Sequence, residues 1–384
     1  MATLPAPIAN TLLLYTTPVV DPSGQAYWAF RTLPPLPQLA AAGLDNLYGP
    51  YTDFSDFSLF FSDFRPQPSP DGRMLLVPGL ASYPEHGVEG TGTWLVDLTA
   101  ETARRLLPGG VSATWNPAGD AITYADGDTL FTLSTTPEAT PQAIFQHPDL
   151  WDIYAKWSPD GRWIAAVTGL MHKPTGEAQP DLTLTYWLVP TDGGPARELA
   201  QRETYVAGYS ASEVSWSLDG QYLLAHTRVY DLAGNQLMPE GIGGLDWLPD
   251  RPQLIHWATE RPRIITVTGE EIALVEQSTY HSTLNWALSN DGRHLAFSQP
   301  RTDGGVPLAI FDLESGETQI VGIIPNVIYV SELRWSEDDA KLIAGTGNGE
   351  GRYDIWTLEA QPGGAVERLM ENAELIEVVA YPVR

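Results

Sequence analysis

The segment Trp157-Ser158-Pro159-Asp160-Gly161 describes a hairpin turn between two hydrophobic segments, and versions of it recur along the chain. Pro159 fixes the φ angle needed at the second position of a type I turn, and Gly161 accepts the positive φ that ends it. In the successive copies, the glycine position of this hairpin lies near residues 72, 119, 161, 220, 251, 292 and 339. A mean period of about 44 residues is typical of a repeat protein, in which one supersecondary unit is stacked many times.

Each turn is followed by the same succession of segments. A short apolar strand such as Tyr222–Ala225 comes first, and a variable loop leads to a third strand such as Ile310-Phe311-Asp312-Leu313. A glycine-containing turn and a polar fourth strand, for example Glu317-Thr318-Gln319-Ile320, often complete the unit. Four short antiparallel strands per repeat, with no helical periodicity between them, predict an all-β fold of the β-propeller class with four-stranded blades.

The Trp-Ser-Pro-Asp-Gly hairpin, the apolar strand, the third strand ending in Asp-Leu or Thr-Leu and the glycine turn together resemble the TolB-type (PD40, WD40-like) propeller repeat. The resemblance covers about residues 60–371 in seven copies; it is closest at 157–161 and 216–220 and loosest at 247–251, where Arg251 replaces the glycine. It implies a propeller but no single activity, because such propellers serve as protein-binding platforms, as gates on peptidases and as enzymes.

The two ends of the chain bear on the number of blades. Residues 1–36 contain a second and a third strand without a first, and residues 372–384 contain a first strand without successors. Pairing the two ends would complete an eighth blade and remove open sheet edges that invite aggregation. We therefore predict one domain over residues 1–384 with eight blades; the alternative is seven blades with the terminal strands as a cover.

The composition limits the partners. Lys+Arg 21 against Asp+Glu 48 gives a formal net charge of −27, and an acidic surface repels phosphate backbones and anionic lipid headgroups. We predict no nucleic-acid or membrane partner, and a monomer. The chain has no cysteine, no basic segment at its N-terminus and no long apolar run. A cytoplasmic location is expected, and a periplasmic or extracellular one if a signal peptide has been removed.

No segment carries a recognisable catalytic motif. Gly208-Tyr209-Ser210-Ala211-Ser212 lacks the final glycine and the following helix of a hydrolase nucleophile elbow. The histidines show no close pair that would suggest a metal site: His86, His147, His172, His226, His256, His281 and His294. We predict no catalytic residue, no metal site and no cofactor.

Extra residues are concentrated at one end of the predicted blades. The loops between second and third strands (82–92, 170–181, 299–306 and 346–352) and the connections between blades (147–154, 202–212, 277–283 and 324–331) all fall there. Variable loops on a rigid scaffold usually carry binding. The candidate binding residues are Asp152, Tyr154, Tyr209, Tyr280, His281 and Tyr329.

These loops favour a non-catalytic binding or scaffolding protein whose partner is another protein or a carbohydrate-like ligand, because side chains such as Tyr154 and Tyr329 combine an apolar ring with a polar group. The alternative is a propeller enzyme, a lyase or hydrolase, that acts at the central channel with His281 and neighbouring carboxylates. A cluster of histidine and carboxylate side chains within metal-ligand reach would favour the enzyme.

Overall fold

A computed structural model describes residues 8, 10–20, 26–41, 66–77, 92–108, 113–172, 182–204, 214–225, 227–238, 244–248, 250–256, 263–274, 286–299, 301–347 and 352–380. Within these residues the chain forms 30 β-strands and a single short helix, α1 (Pro37–Ala41). Among the described residues no helix has the length and apolar character needed to cross a membrane.

The strands follow one another as sequential antiparallel sheets, which we call blades. In the first half of the chain, the closing blade contains β1 (Thr11–Val20) and β2 (Ala26–Leu33), and blade 1 contains β3 (Gln67–Pro68), β4 (Met74–Val77), β5 (Thr93–Asp97) and β6 (Thr102–Leu107). Blade 2 contains β7 (Ala113–Trp115), β8 (Ala121–Asp126), β9 (Thr129–Ser134) and β10 (Gln142–Gln146). Blade 3 contains β11 (Leu150–Trp157), β12 (Trp163–Met171), β13 (Leu182–Pro190) and β14 (Arg197–Thr204).

In the second half, blade 4 contains β15 (Val214–Trp216), β16 (Tyr222–Ala225) and β17 (Arg228–Asp231), and blade 5 contains β18 (Leu245–Trp247), β19 (Leu254–His256), β20 (Arg263–Ile265) and β21 (Glu271–Leu274). Blade 6 contains β22 (Trp286–Leu288), β23 (His294–Ser298), β24 (Val306–Asp312) and β25 (Thr318–Ile324). Blade 7 contains β26 (Tyr329–Trp335), β27 (Lys341–Gly347), β28 (Tyr353–Glu359) and β29 (Val366–Glu371), and β30 (Glu374–Ala380) joins the closing blade.

These blades lie in two compact units. One unit consists of residues 1–110, 259–262 and 273–384 and holds the closing blade and blades 1, 6 and 7. The other consists of residues 111–258 and 263–272 and holds blades 2 to 4 and most of blade 5. Among the described residues, six sheets have four strands, while the closing blade and blade 4 have three.

The closing blade is built from both ends of the chain. Strand β30 pairs antiparallel with β1, with Leu13 opposite Val378 and Thr11 opposite Ala380. On β1, Leu12, Leu13 and Leu14 are fully buried. The prediction of eight blades, one of them completed by the two termini, is confirmed, and the seven-blade alternative is wrong. The single-domain organisation stays a prediction.

The repeated turn owes its shape to a buried serine as well as to proline and glycine. In blade 4 the Ser217 hydroxyl donates to Asp219 at 2.6 Å and accepts the N–H of Tyr222 at 3.0 Å. The Asp219 carboxylate accepts the N–H of Gln221 at 3.1 Å, and Gly220 has a φ of 66°. The same Ser–Asp hydrogen bond recurs in blades 1, 3, 6 and 7, at Ser69–Asp71, Ser158–Asp160, Ser289–Asp291 and Ser336–Asp338.

Two copies of the turn lack the glycine, and the residue at that position has a different conformation in each. Asp339 adopts the positive φ itself, at 54°, and its carboxylate accepts the backbone N–H groups of Asn290 and Asp291 in blade 6 at 2.8 and 2.9 Å. Arg251 belongs to a different turn, in which its carbonyl accepts the N–H of Gln253 at 2.8 Å and its guanidinium pairs with Asp250. The copy that contains Arg251 therefore forms a different turn and not a strained version of the repeated one.

The turn carboxylates are expected to make the protein sensitive to acid. The Ser336 hydroxyl, followed by the N–H of Ala340, holds the pKa of Asp338 below its usual value, and equivalent bonds lower the pKa of Asp71 and Asp291. A carboxyl with a depressed folded-state pKa stabilises the fold above the unfolded value of about 3.9, and this contribution is lost as the pH falls through the folded-state pKa.

Thermal unfolding between about pH 2.5 and 6 therefore should show a falling melting temperature below about pH 4. In the Asp338→Asn variant we expect a lower melting temperature at pH 7 and a shallower decline in acid, because this carboxyl no longer titrates. Parallel curves for the variant and the parent protein would show that Asp338 does not contribute to the acid sensitivity.

Recurrent tryptophans join neighbouring blades, as the repeat predicts. In one unit the indole N–H of Trp216 donates to the carbonyl of Lys156 in blade 3 at 3.0 Å. In the other unit Trp335 of blade 7 donates to the carbonyl of Ala287 in blade 6 at 2.9 Å. Each hydrogen bond satisfies a polar group inside an apolar interface, so these residues hold blades together.

The hydrophobic core is divided among the contacts between adjacent blades. One cluster combines Leu308 of blade 6 with Leu342 of blade 7, and another combines Ile343 of blade 7 with Leu13 of the closing blade. The second strands supply much of this core, since they are apolar and buried on both faces.

Candidate functional site

The structure describes the side chain of only one of the six predicted binding residues. Tyr329 begins strand β26 of blade 7. Asp152 and Tyr154 lie in strand β11, but their side chains are outside the described part of the chain. Tyr209, Tyr280 and His281 also lie outside the described residues. The predicted grouping of these six residues therefore stays a prediction.

Blade 7 has two distinct ends because its strands are antiparallel. The Asp338-containing turn connects β26 to β27 at one end, which we call the turn end. The loop from β27 to β28 and the connections before and after the blade lie at the opposite end, which we call the loop end. Its described residues are 325–329, 346–347, 352–353 and 371–374.

Tyr329 is held against the backbone at the loop end. A Cβ placed on Gly347 would lie 2.3 Å from Cζ of Tyr329, so the phenol ring occupies the space that a larger residue would need. The phenol of Tyr329 is hydrogen-bonded to that of Tyr353. Burial, that hydrogen bond and the charges of Tyr329 and Glu374 raise the pKa of Tyr353 to about 12. The Tyr353 phenol is therefore neutral at neutral pH.

The Tyr329→Phe variant is expected to lower the pKa of Tyr353, because the hydrogen bond that favours the neutral phenol is removed. Desolvation remains, so the pKa should stay above the usual value of about 10. NMR titration of tyrosines labelled with ¹³C at Cζ measures the change directly. An unchanged pKa of Tyr353 would mean that the two phenols do not interact.

A pocket of about 460 Å³ opens at the loop end of blade 7. The connection from blade 6 forms one wall and strands β28 and β29 form another. The residues that line it are Pro325, Asn326, Val327, Thr346, Arg352, Asp354, Trp356, Arg368, Glu371 and Asn372. This volume lies within the range of about 300–1,000 Å³ that is typical of small-molecule sites.

The charged groups of the pocket are organised around Arg368. Its guanidinium lies 5.8 Å from the centre of the Trp356 ring, contacts Asp354 at 3.5 Å and pairs with Glu371. The Asp354 carboxylate also accepts the N–H of Asn372 at 3.0 Å. These contacts fix the direction of a guanidinium and a carboxylate before any ligand arrives, which lowers the entropic cost of binding.

Trp356, whose side chain also lines this pocket, contains an unsatisfied donor. The residue is 8% exposed, and its indole N–H has no hydrogen-bond partner among the described residues. A buried donor without a partner costs about 1–3 kcal/mol. Trp335 of the same blade has its partner in Ala287. Sequence reasoning missed Trp356 because the residue stands on a third strand, outside the recurrent tryptophan position.

A second charged group joins blade 7 to the closing blade. Arg334 of β26 lies 2.9 Å from Glu332 on its own strand and 3.0 Å from Glu377 on β30. Burial opposes the charge, but the two carboxylates outweigh it and raise the pKa of Arg334. All three side chains are mostly buried and paired, so the group contributes to structure.

Metal-ligating side chains do not converge in the part of the chain that is described. No group of three or more histidine and carboxylate side chains there could hold a metal ion. Of the described histidines, His294 is near Asp291 and Asp312, and His147 packs beside Phe145 and Trp187.

Comparison with known proteins identifies the architecture. No protein-family profile matches the chain, and no curated protein matches it. A crystal structure of the eukaryotic initiation factor superposes with a TM-score of 0.55 and 11% sequence identity, covering 100% of this chain and 94% of the other. The fold is an eight-bladed β-propeller. This level of identity shows the fold alone, so the TolB-type resemblance stays a prediction.

Two further solved structures are more distant. A putative 6-phosphogluconolactonase from Bacteroides uniformis has a TM-score of 0.44 and 16% identity, covering 79% of this chain and 98% of that one. The Kuenenia stuttgartiensis hydrazine synthase has a TM-score of 0.32 and 14% identity, covering 67% and 64%. Neither similarity carries an argument about activity.

Proposed function

We propose that this propeller is a non-catalytic binding module that holds its ligand or partner at the loop end of its blades. The observation that carries the proposal is the pocket at the loop end of blade 7. It is lined by a connection between blades (325–327) and by residues on both sides of the loop from β27 to β28, Thr346 and Arg352. Long loops supported by a rigid sheet are where propellers and other scaffolds place binding groups.

The side chains of the pocket support binding more than catalysis. Arg368 is paired with both Asp354 and Glu371, so the charged groups are engaged with one another. A general acid or base needs a group that can reach the substrate and exchange a proton. Paired groups of fixed direction are suited to recognising polar atoms instead. The partner we propose is a protein or a carbohydrate-like ligand, and we propose that the propeller binds it as a monomer. The net charge of −27 disfavours the binding of nucleic acid and of membranes.

Because the chain has no cysteine, a single introduced cysteine can be modified selectively, and this allows one end of a blade to be blocked at a time. The Ile328→Cys variant places a thiol at the loop end, and the Leu218→Cys variant places one at the turn end of blade 4; the native residues are 47% and 50% exposed. Each variant is coupled to a maleimide–polyethylene glycol and applied, fluorescently labelled, to glycan and peptide arrays.

We expect binding on the arrays that is lost after coupling at position 328 and retained after coupling at position 218. Binding that survives coupling at position 328 would contradict the proposal, and so would an array without any bound protein. Turnover of chromogenic glycosides or esters by the parent protein would instead support the enzyme alternative.

A further inference from the structure

The outer strand of blade 6 presents an apolar edge. Strand β25 lies at the end of its sheet, and its outer side has no strand partner among the described residues. On this strand Ile320 is 48% exposed and Ile323 is 43% exposed. The opposite face is covered, because Val321 is buried and a Cβ on Gly322 would lie 2.7 Å from the Val366 side chain of blade 7. The exposed isoleucines therefore belong to a free edge and not to the contact between blades 6 and 7.

The side chains of β25 do not protect this edge. Natural edge strands usually carry charged residues or proline, which discourage pairing with another chain. In the same unit the outer strand β6 has Arg104 and Arg105, and the outer strand β29 has Glu367 and Arg368. None of the seven residues of β25 is charged or a proline. All three strands contain a β-bulge, so the difference between them lies in the side chains.

The backbone of this edge is oriented for pairing. The carbonyl of Pro307 in β24 accepts the N–H of Gln299 at 2.8 Å, so the backbone of Pro307 is directed towards β23. Ile323 is the partner of Pro307 in the antiparallel register. The backbone groups of such a pair point either towards each other or both away, so the N–H and C=O of Ile323 face outward from the sheet. An added strand finds a donor and an acceptor there, beside an exposed apolar side chain.

The surroundings of the edge are acidic. Glu314 and Glu317 are exposed in the turn that leads into β25. At the other end of the strand, Gly304 of the loop from β23 to β24 lies beside it, and this loop carries the exposed residues Asp303 and Arg301. Carboxylates therefore stand at both ends of the strand, with one arginine among them. These charges, together with the net charge of −27, attract a basic partner and repel an acidic one.

From these features we infer that β25 binds an extended peptide segment of another protein, which adds to blade 6 as a further strand. The segment alternates apolar and polar residues, so that its apolar face covers Ile320 and Ile323, and it has basic residues at its ends. Main-chain hydrogen bonds supply affinity in such strand addition, and side chains supply specificity. A second copy of this chain is a poor occupant, because it brings the same acidic groups to the edge. The inference goes beyond the proposed function, since no residue of β25 lines the pocket of blade 7.

The test presents the full chain to an array of synthetic peptides. Each peptide has two lysines at each end and seven central residues, to match β25, in which threonine alternates with valine, isoleucine, leucine, phenylalanine or tyrosine. The best binder is measured by fluorescence anisotropy against two altered forms, one with glutamates in place of the lysines and one with a central proline. We expect saturable binding of the lysine form and affinities about tenfold lower or worse for both altered forms, because repulsion and a lost N–H oppose strand addition.

Two variants of the protein locate the site. Ile323→Pro removes an N–H that faces outward and leaves the hydrogen bonds to β24 in place, while Ile320→Thr removes an apolar contact and keeps a β-branched residue. Each should weaken binding of the lysine form by about fivefold or more. Leu218→Thr is the matched control, since Leu218 is 50% exposed at the turn end of blade 4. It should leave the affinity within about twofold.

Melting curves show which variants are folded, and Ile320→Thr decides if Ile323→Pro does not fold. Undiminished affinity of either folded variant would overturn the inference, and so would equal binding of the glutamate form or no binding by any peptide flanked by lysines. Sedimentation of the parent protein as a dimer that Ile323→Pro converts into a monomer would also overturn it, because a second copy would then occupy the edge.

Discussion

Replacing Arg334 with methionine is expected to lower the free energy of unfolding by about 2–4 kcal/mol. The guanidinium lies 2.9 Å from Glu332 and 3.0 Å from Glu377, and its removal takes away the cation that these two mostly buried carboxylates share. Removing one partner from a fully buried ion pair costs about 3–5 kcal/mol, and partial exposure reduces that value. Denaturation in urea, followed by tryptophan fluorescence, measures the difference.

The effect of the uncompensated charges can be separated from the effect of lost packing. The triple variant Arg334→Met, Glu332→Gln, Glu377→Gln removes the uncompensated charges, so it should recover most of the stability lost by Arg334→Met. Arg293→Met, at an exposed position, should change stability by less than about 0.5 kcal/mol. A triple variant that is less stable than the single variant would show that packing, and not charge, explains the effect.

The second large effect is expected at Gly305, in the loop from β23 to β24 of blade 6. Its φ is 131°, and an added Cβ would lie 2.0 Å from the carbonyl oxygen of Ile324 and 2.9 Å from Cα of Pro325. Both neighbours are backbone atoms that cannot turn away. The Gly305→Ala variant should therefore lose about 3 kcal/mol or more of unfolding free energy, through strain and a displaced connection.

The adjacent Gly304 supplies the control. A Cβ there would have only Thr302 and Ile323 side-chain atoms near it, at 3.8 and 4.0 Å. Gly304→Ala should change stability by less than about 1 kcal/mol. Since Pro325 lines the pocket, Gly305→Ala should also weaken binding there. Equal stability of the two alanine variants, in the same urea experiment, would contradict the packing that we describe.

Much of the fold could be predicted because its information is local and repeated. Gly161 and Gly220 have positive φ, as the turn chemistry requires, and the recurrence of the turn fixed the number of repeats. The role of Ser217 could have been predicted too, since a serine precedes the turn in most copies and its two hydrogen bonds need only neighbouring residues.

The candidate site could not be predicted in the same way. The pocket combines Pro325 with Asn372, two residues that come together only through the pairing of the intervening strands. The feature that distinguishes Trp356 is that its indole N–H has no partner among the described residues, and this depends on every neighbouring side chain. Tyr329 was predicted from its place in a connection, and the structure puts it at the loop end beside Tyr353.

The most direct test of the central claim is hydrogen–deuterium exchange of the full chain with and without a ligand selected on the arrays. Binding at the loop end predicts slower exchange in peptides that contain residues 325–329 and 371–374, because ligand contact there reduces local opening. Peptides that contain the turns at 289–293 and 336–340 should be unchanged. Slower exchange confined to those turns would contradict binding at the loop end.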